Sequence, residues 1–265
     1  MRRAGEGMVG RPGRRGDEGR PPRISAAGIE RVGREIGLAE LTLQGVASRL
    51  GVASAALYRY VDGKAGLDRL VGESMLAELR IPDPPQDDAE AHLLRFASVL
   101  REFVLERPGM ARYLQELFPR GEAGAGLLSG EITALADRGY SPDVAAVVSS
   151  SVAGFAIAQA AAQERQIAFS AGPVGPAGRP GAASVPGRER DARMERQIAD
   201  SRALLASEGV LGQAHAHLPE VSLADYFRLV VTAYIRGLLA AAPPGRPLTD
   251  VMAALDVTSS SDGSN

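Results

Sequence analysis

The chain has 265 residues, 45% of them apolar and 23% charged, with a formal net charge of −2. That is the size of one or two globular domains with room for a core. Cysteine and tryptophan are absent and the only histidines are His92, His215 and His217, which excludes disulfides, thiolate metal sites and a cysteine nucleophile and leaves no recognised metal-ligand spacing.

No apolar run is read as long enough to span a bilayer and no signal peptide is read at the N-terminus, so the expectation is a cytoplasmic protein with no membrane partner. The charge is unevenly spread. Residues 1–70 hold thirteen Lys and Arg against eight Asp and Glu, so a basic N-terminal third sits on an acidic remainder. Such a split points to a polyanionic partner. Seven of those basic residues precede Ile24, and Lys64 is the only lysine in the chain. The arginine bias fits GC-rich coding and makes that lysine conspicuous.

Residues 1–22 repeat Gly, Arg and Pro with almost nothing apolar and read as a disordered arm, either a passive tail or an added contact to a polyanionic partner. Helical periodicity then begins. Ile29, Val32 and Ile36 share one face of a first helix that ends near Gly37. Thr42 is a good N-cap for a short second helix with Leu43, Val46, Ala47 and Leu50 inward. Gly51 reverses the chain, and a third helix follows from about Ser54 to Tyr60 with Leu57 and Val61 inward. Asp62-Gly63 breaks it, and a fourth helix carries Leu67, Leu70, Val71, Met75 and Leu79. Pro82, Pro84 and Pro85 mark a boundary.

Beyond it the expected helices are Asp88 to Glu106, a short one after Pro108, Ala123 to Arg138, a long Ala/Ser/Gly-rich one from Pro142 towards Phe169, a polar one over 189–207, and Ser222 to Ala241. Residues 171–188, with four prolines and five glycines, read as a loop. No strand is expected. The fold class is therefore all-α, with an arm over 1–22, a helix-turn-helix unit over 23–80, a second helical domain over 86–242 and a flexible tail over 243–265.

The outward residues of the third helix are short, hydroxyl-bearing or basic: Ser54, Ala55, Ala56, Tyr58, Arg59 and Tyr60. Such side chains suit the major groove of DNA. The whole block from Leu41 to Leu70, with Thr42, Val46, Ala47, Leu50, Gly51, Val52, Leu57, Tyr58, Val61, Lys64 and Leu67 in fixed spacing, closely resembles the DNA-binding domain of the tetracycline-repressor (TetR) family. A looser resemblance to the tetracycline repressor's own branch runs from Leu93 to Glu164. Two positions depart from the motif: Ala53 stands where a capping Ser, Thr or Asp is usual, and Gly63 stands where Asn or Ser is common.

The resemblance implies a sequence-specific, dimeric repressor of bacterial origin that a small molecule releases from a palindromic operator. Thr42, Tyr58, Tyr60 and Lys64 would meet phosphates or sugars. Gln44, Ser54, Ala55, Ala56 and Arg59 would approach base edges. The dimer interface would use Ser150, Gly154 and Ala158 of the small-residue helix with Phe227, Val231, Tyr234 and Leu238 of the last one. The ligand pocket would use Phe96, Leu100, Phe103, Met110, Tyr113, Leu114, Phe118, Phe155, Gln159 and Gln163. Arg80, Leu114 and Ala162 align where the tetracycline repressor holds its drug and magnesium, so the effector implied is a different small molecule.

No cofactor, metal or catalytic residue is expected. No nucleophile–His–carboxylate set or phosphate-cradling loop is present, and His215 and His217 read as a surface pair. The alternative is an all-helical interaction adaptor whose DNA motif has decayed.

Overall fold

The computed structural model describes residues 24–116, 119, 121–170, 196, 199–201, 203–204, 209–216 and 221–256. The Arg-rich arm, the 171–188 stretch, most of 189–207, Phe118, His217 and the residues after 256 lie outside these. Among the described residues every regular element is a helix, as composition and periodicity require.

Capping sets the first elements. Helix α1 (Ala26–Ile36) starts where Ser25 Oγ accepts from Gly28 N at 3.1 Å, and it stops at Gly37, whose φ is 82°. Helix α2 (Leu43–Leu50) starts where Thr42 Oγ1 accepts from Gly45 N at 2.9 Å. Gly51 takes the left-handed conformation, φ 68° and ψ 35°, that turns the chain.

The next segment, Ser54–Arg59, differs from the expected α-helix: it is wound as a 3-10 helix. Ala53 has no side-chain oxygen with which to satisfy the free amides that follow. The turn tightens instead, with Ala56 N on Ala53 O and Tyr60 N on Leu57 O, both at 2.9 Å. Helix α3 (Gly63–Leu76) completes the unit. Ile29, Val46, Leu57, Leu67 and Val71 are fully buried between these helices. A Cβ on Gly33 would lie 2.4 Å from Val71 Cγ2, so α1 and α3 cross in contact there.

After an irregular connection come α4 (Ala89–Leu105), α5 (Met110–Glu116), α6 (Glu122–Ala136), α7 (Pro142–Ser170), α8 (Gly209–Ala216), α9 (Leu223–Ala241) and α10 (Leu248–Ala254). Helix α4 is central, packed on α5, α7 and α9, and α7 also packs on α5, α6 and α9. One expectation is corrected here. Residues Pro142–Gln166 of α7 form a stretch of 25 residues with hydropathy 1.7, long and apolar enough to cross a bilayer by composition. Its Ser and Gly residues disguise that run. Val144, Val148, Val152, Ala156 and Ala160 are buried in the chain's own core, the ordinary state of a core helix.

The flexible tail expected from residue 243 is also corrected in part. Gly245 N donates to Gly139 O at 2.9 Å, and α10 buries Val251 in the core. Pro243-Pro244-Gly245 reads as a stop, and the seven residues of α10 are too few to show a period.

Helix α3 is tied directly to the body formed by the later helices. Glu73 Oε1 accepts from the Tyr113 hydroxyl at 2.9 Å, and Glu73 Oε2 accepts from Ala123 N at 2.9 Å and Gly124 N at 3.2 Å. Gly72 lies under the Tyr113 ring, where an added Cβ would meet Cζ at 2.5 Å. Helix propensity alone favours Gly72→Ala by about 0.8–1 kcal/mol. Overpacking against the ring opposes it, and the expected net result is a loss of about 1–3 kcal/mol. Urea denaturation measures this, and a stabilised variant would show that the contact does not constrain α3.

Candidate functional site

The outer surface of the first three helical segments is built by subtraction. Val46, Ala47, Leu57 and Val61 are buried, so what alternates with them faces out. Thr42, Gln44, Ala55, Tyr58, Arg59 and Tyr60 are exposed, Tyr58 by 60%, while Ser54, Ala56 and Lys64 are half-buried at the edge of the same surface.

Hydrogen bonding separates these side chains into free and engaged. The Thr42 oxygen already caps α2, leaving its hydroxyl proton to give. Lys64 is paired with Asp68 one turn along α3. The Tyr60 hydroxyl donates to Ile24 O at 2.9 Å and so anchors the start of α1. Its expected role as a donor to phosphate would require giving up that bond.

Arg59 makes no ion pair among the described residues, nor does Arg49, an exposed residue in the last turn of α2 that sequence reasoning missed. Its signal was the outward register opposite Val46 and Ala47.

The residues expected to line a ligand pocket divide. Phe96, Leu100, Phe103, Met110, Tyr113 and Leu114 are buried in the continuous core. Phe155 stacks on Tyr234 with ring centroids 4.7 Å apart. Gln159 is half-buried. Gln163 accepts a hydrogen bond from Arg101, a buried guanidinium lying 4.8 Å over the Phe227 ring. Leu114 also borders a space of about 400 Å³ between α5, α6 and α7, beside Ser150 and Gly154.

A larger cleft, of about 700 Å³, lies elsewhere, between the end of α3, the connection after it and α6. Leu76, Leu79 and Ile81 form one wall and Ala123, Leu127 and Ala134 another. Its polar floor is His92, 1% exposed, with Glu131, 3% exposed. His92 Nδ1 is 2.9 Å from Asp83 Oδ1 and Nε2 is 2.9 Å from Glu131 Oε2. Only an imidazolium donates from both nitrogens. Burial alone would lower the His92 pKa, but the Glu131 and Asp83 carboxylates outweigh it and the net shift is upward. Arg138 holds Asp83 from the other side and keeps its carboxyl below the usual range.

Sequence reasoning assigned none of this cleft. The signal was Glu131, a charge in the inward register of Leu127 and Leu135. Arg80, aligned with the drug-binding position of the tetracycline repressor, does line the cleft.

The expected dimer residues also divide. Ser150, Gly154 and Ala158 form an exposed stripe on α7. Phe227 and Val231 are buried inside the chain, and Tyr234 and Leu238 are half-buried against its core. The outward face of α9 is carried instead by Tyr226, Leu229, Ala233 and Gly237.

No family model and no curated protein matches the sequence. Solved structures do match. ActR from Streptomyces coelicolor in complex with actinorhodin, a TetR family protein, superposes with a TM-score of 0.66 at 21% identity, covering 84% of this chain and 99% of that one. TetR from Acinetobacter baumannii gives a TM-score of 0.52 at 20% identity over 82% of this chain and 95% of that one. A further TetR-type transcriptional regulator of Streptomyces coelicolor gives 0.58 at 14% identity over 82% and 98%. The chain has the TetR-family fold. Within the TetR fold the helix-turn-helix is α2, Gly51 and the Ser54–Arg59 segment.

The His92 shift has a sign that can be tested. A group with a raised folded pKa contributes fully below its unfolded value, about 6.5 for histidine, and that contribution is lost as pH rises through the folded value. Denaturation midpoints are expected to fall as pH rises above about 6.5, and His92→Gln is expected to remove that fall. An equal fall in both proteins would assign the pH dependence to other groups.

Proposed function

We propose that the chain is a ligand-responsive transcriptional regulator that binds a palindromic operator as a homodimer in the cytoplasm, most simply as a repressor, and that it has no enzymatic activity. The observation that carries this reading is the helix-turn-helix face: apolar residues are buried on its inner side, and Gln44, Ala55, Tyr58 and Arg59 are exposed on its outer side. Residues 23–80 form the DNA-binding unit and 86–242 the effector and dimer unit in this reading.

Each side chain then has a role set by its chemistry. Arg59, exposed and without an ion pair among the described residues, supplies a bidentate fork for guanine, while Ala55 and Ala56 suit thymine methyls. Tyr58, Thr42 and Lys64 hold phosphates. Lys64 exchanges Asp68 for the phosphate, so its contact is weaker than that of a free cation. Arg49 adds a further positive charge beside α2.

Dimerisation places two such units about 34–36 Å apart, one turn of DNA. The stripe Val147, Ser150, Gly154 and Ala158 on α7, together with Leu229 and Tyr226 on α9, offers a self-complementary apolar face. Leu229 is 64% exposed, which is costly unless a partner covers it.

Effector binding is supported by the relatives named above, one of which holds actinorhodin. The cleft of about 700 Å³ is the site this chain offers, because its wall is the end of α3. A ligand there shifts the orientation of α3, and with it the spacing of the two DNA-binding units. It does so only by its differential affinity for the two arrangements, typically about 1–3 kcal/mol.

Selection of bound duplexes from a random pool is expected to return a palindrome with half-sites about one helical turn apart. Arg59→Ala is expected to cost about 1–3 kcal/mol and relax one base position, whereas Lys64→Ala weakens all sequences alike and lowers the salt slope by about 1. No enrichment by the full-length dimer, purified after refolding to remove bound ligand, would overturn the DNA-binding role.

The interface has its own test. Leu229→Arg is expected to give a monomer in sedimentation and to lose operator binding. A dimeric Leu229→Arg protein would move the interface away from α9.

A further inference from the structure

The cleft beside α3 has an uneven hydrogen-bond inventory. Its ionic groups balance in pairs: Arg138 with Asp83, His92 with Glu131, and Arg80 with Asp137 by sign. What differs is which atoms remain open. Asp83, partly exposed, takes both His92 and Arg138 on Oδ1, with Oδ2 3.4 Å from Arg138 Nη1. His92 has both ring nitrogens engaged. Arg80 folds back so that Nη1 donates to Ala77 O and Leu79 O at the end of α3. Thr133 gives its hydroxyl proton to Ser129 O at 2.9 Å and keeps its lone pairs.

Glu131 is the exception in the buried floor. Its Oε2 takes His92, while Oε1 has no hydrogen bond among the described residues and is not sealed from the cleft that Glu131 lines. At the mouth, Asp137 makes no ion pair among the described residues. The open polar atom of the buried floor is thus an acceptor, while only Nη1 of the exposed Arg80 is engaged and its other donors stay at the edge of the cleft; the walls are Leu76, Leu79, Ile81 and Leu127. A cavity of about 700 Å³ falls in the range of drug-sized sites, about 300–1,000 Å³.

We propose that this cleft binds an amphipathic amine, its apolar body against the end of α3 and the wall of α6, and its ammonium donating to Glu131 Oε1. A carboxylate or phosphate ligand meets the Glu131 carboxylate and finds no open donor in the floor. A neutral alcohol offers one weaker donor. The ammonium gains a charge-assisted bond, stronger than one between neutral groups. The regulatory consequence of binding rests on the reading given under Proposed function; the ligand class does not.

Three probes of one shape test the proposal on the full chain by calorimetric titration: 2-naphthylmethylamine, 2-naphthylmethanol and 2-naphthoate. The amine is expected to bind at least about ten-fold more tightly than the alcohol, and 2-naphthoate not at all. Glu131→Gln is expected to bring amine and alcohol within about three-fold of each other. Because that change leaves His92 without one carboxylate and threatens folding, Gly130→Phe provides a second variant. A Cβ at Gly130, an exposed residue that lines the cleft, meets no atom within 4 Å, so the substitution adds bulk at the cleft without a clash at that atom. It is expected to abolish amine binding while the thermal midpoint is kept.

Equal binding of the three probes, tighter binding of 2-naphthoate, or amine binding that survives Gly130→Phe would overturn the assignment. Amine binding that leaves the protein's grip on its selected DNA unchanged supports the ligand class and overturns the regulatory reading instead.

Discussion

The Glu73 carboxylate joins the two halves of the molecule. Helix α6 begins at Gly121 with no capping side chain of its own, so its first amides are open. Glu73, on α3, satisfies two of them, at Ala123 and Gly124, and places negative charge at the positive end of the α6 dipole. Its second oxygen holds Tyr113 of α5. Two glycines make the approach feasible. A Cβ on Gly121 would lie 2.7 Å from Glu73 Oε2, and one on Gly72 would strike the Tyr113 ring. One carboxylate therefore fixes α3 against two helices of the larger body.

The rest of the helix-turn-helix unit follows α3 rather than the larger body. Arg34 of α1 donates to Ser74 O at 2.8 Å and pairs with Glu78, whose carboxyl it holds below the usual range. The main direct backbone link from the other side is Ala39 N on Pro108 O at 3.1 Å, beside Gly109, whose φ of 89° brings its backbone close to Leu38 and Ala39. A rotation of α3 carries α1 with it through two polar contacts and the buried Gly33–Val71 crossing. The one bond at Ala39 is a net contribution of only about 0.5–1.5 kcal/mol, so it serves as a pivot rather than a lock.

The helix-turn-helix was legible because its constraints are local. Thr42, Gly51 and the inward spacing of Val46, Ala47 and Leu57 each report backbone geometry within a few residues. The 3-10 winding of Ser54–Arg59 was visible only as the missing cap at Ala53, since the winding follows from a bond that is not made. The last helix shows what sequence leaves open. Phe227, Val231, Tyr234 and Leu238 form one apolar stripe, and a stripe facing a partner chain has the same pattern as one facing α4. Packing decides, and it turns Phe227 and Val231 inward. The cleft was hidden for a different reason: Asp83, His92, Glu131 and Arg138 come from three separate segments, and no spacing rule connects them.

Helix α6 now has two charged stations on one rigid rod. Glu73 grips its first turn, and His92 grips Glu131 in its middle, at the floor of the cleft. The two are seven to eight residues apart, about 10–12 Å along the axis at 1.5 Å per residue. A ligand that pulls on Glu131 must either break the His92 bond or move the rod, and moving the rod moves the amides that Glu73 holds. Hydrogen bonds to charged groups contribute about 1.5–3 kcal/mol each, the same scale as the roughly 1–3 kcal/mol that couples two sites in an allosteric protein. The contacts at the first turn and the middle of α6 are thus on the scale needed to transmit a ligand's preference to α3 and to be rearranged by it. In the ligand-responsive reading, that match of magnitudes makes α6, beside the α3 wall of the cleft itself, a route from the cleft to α3.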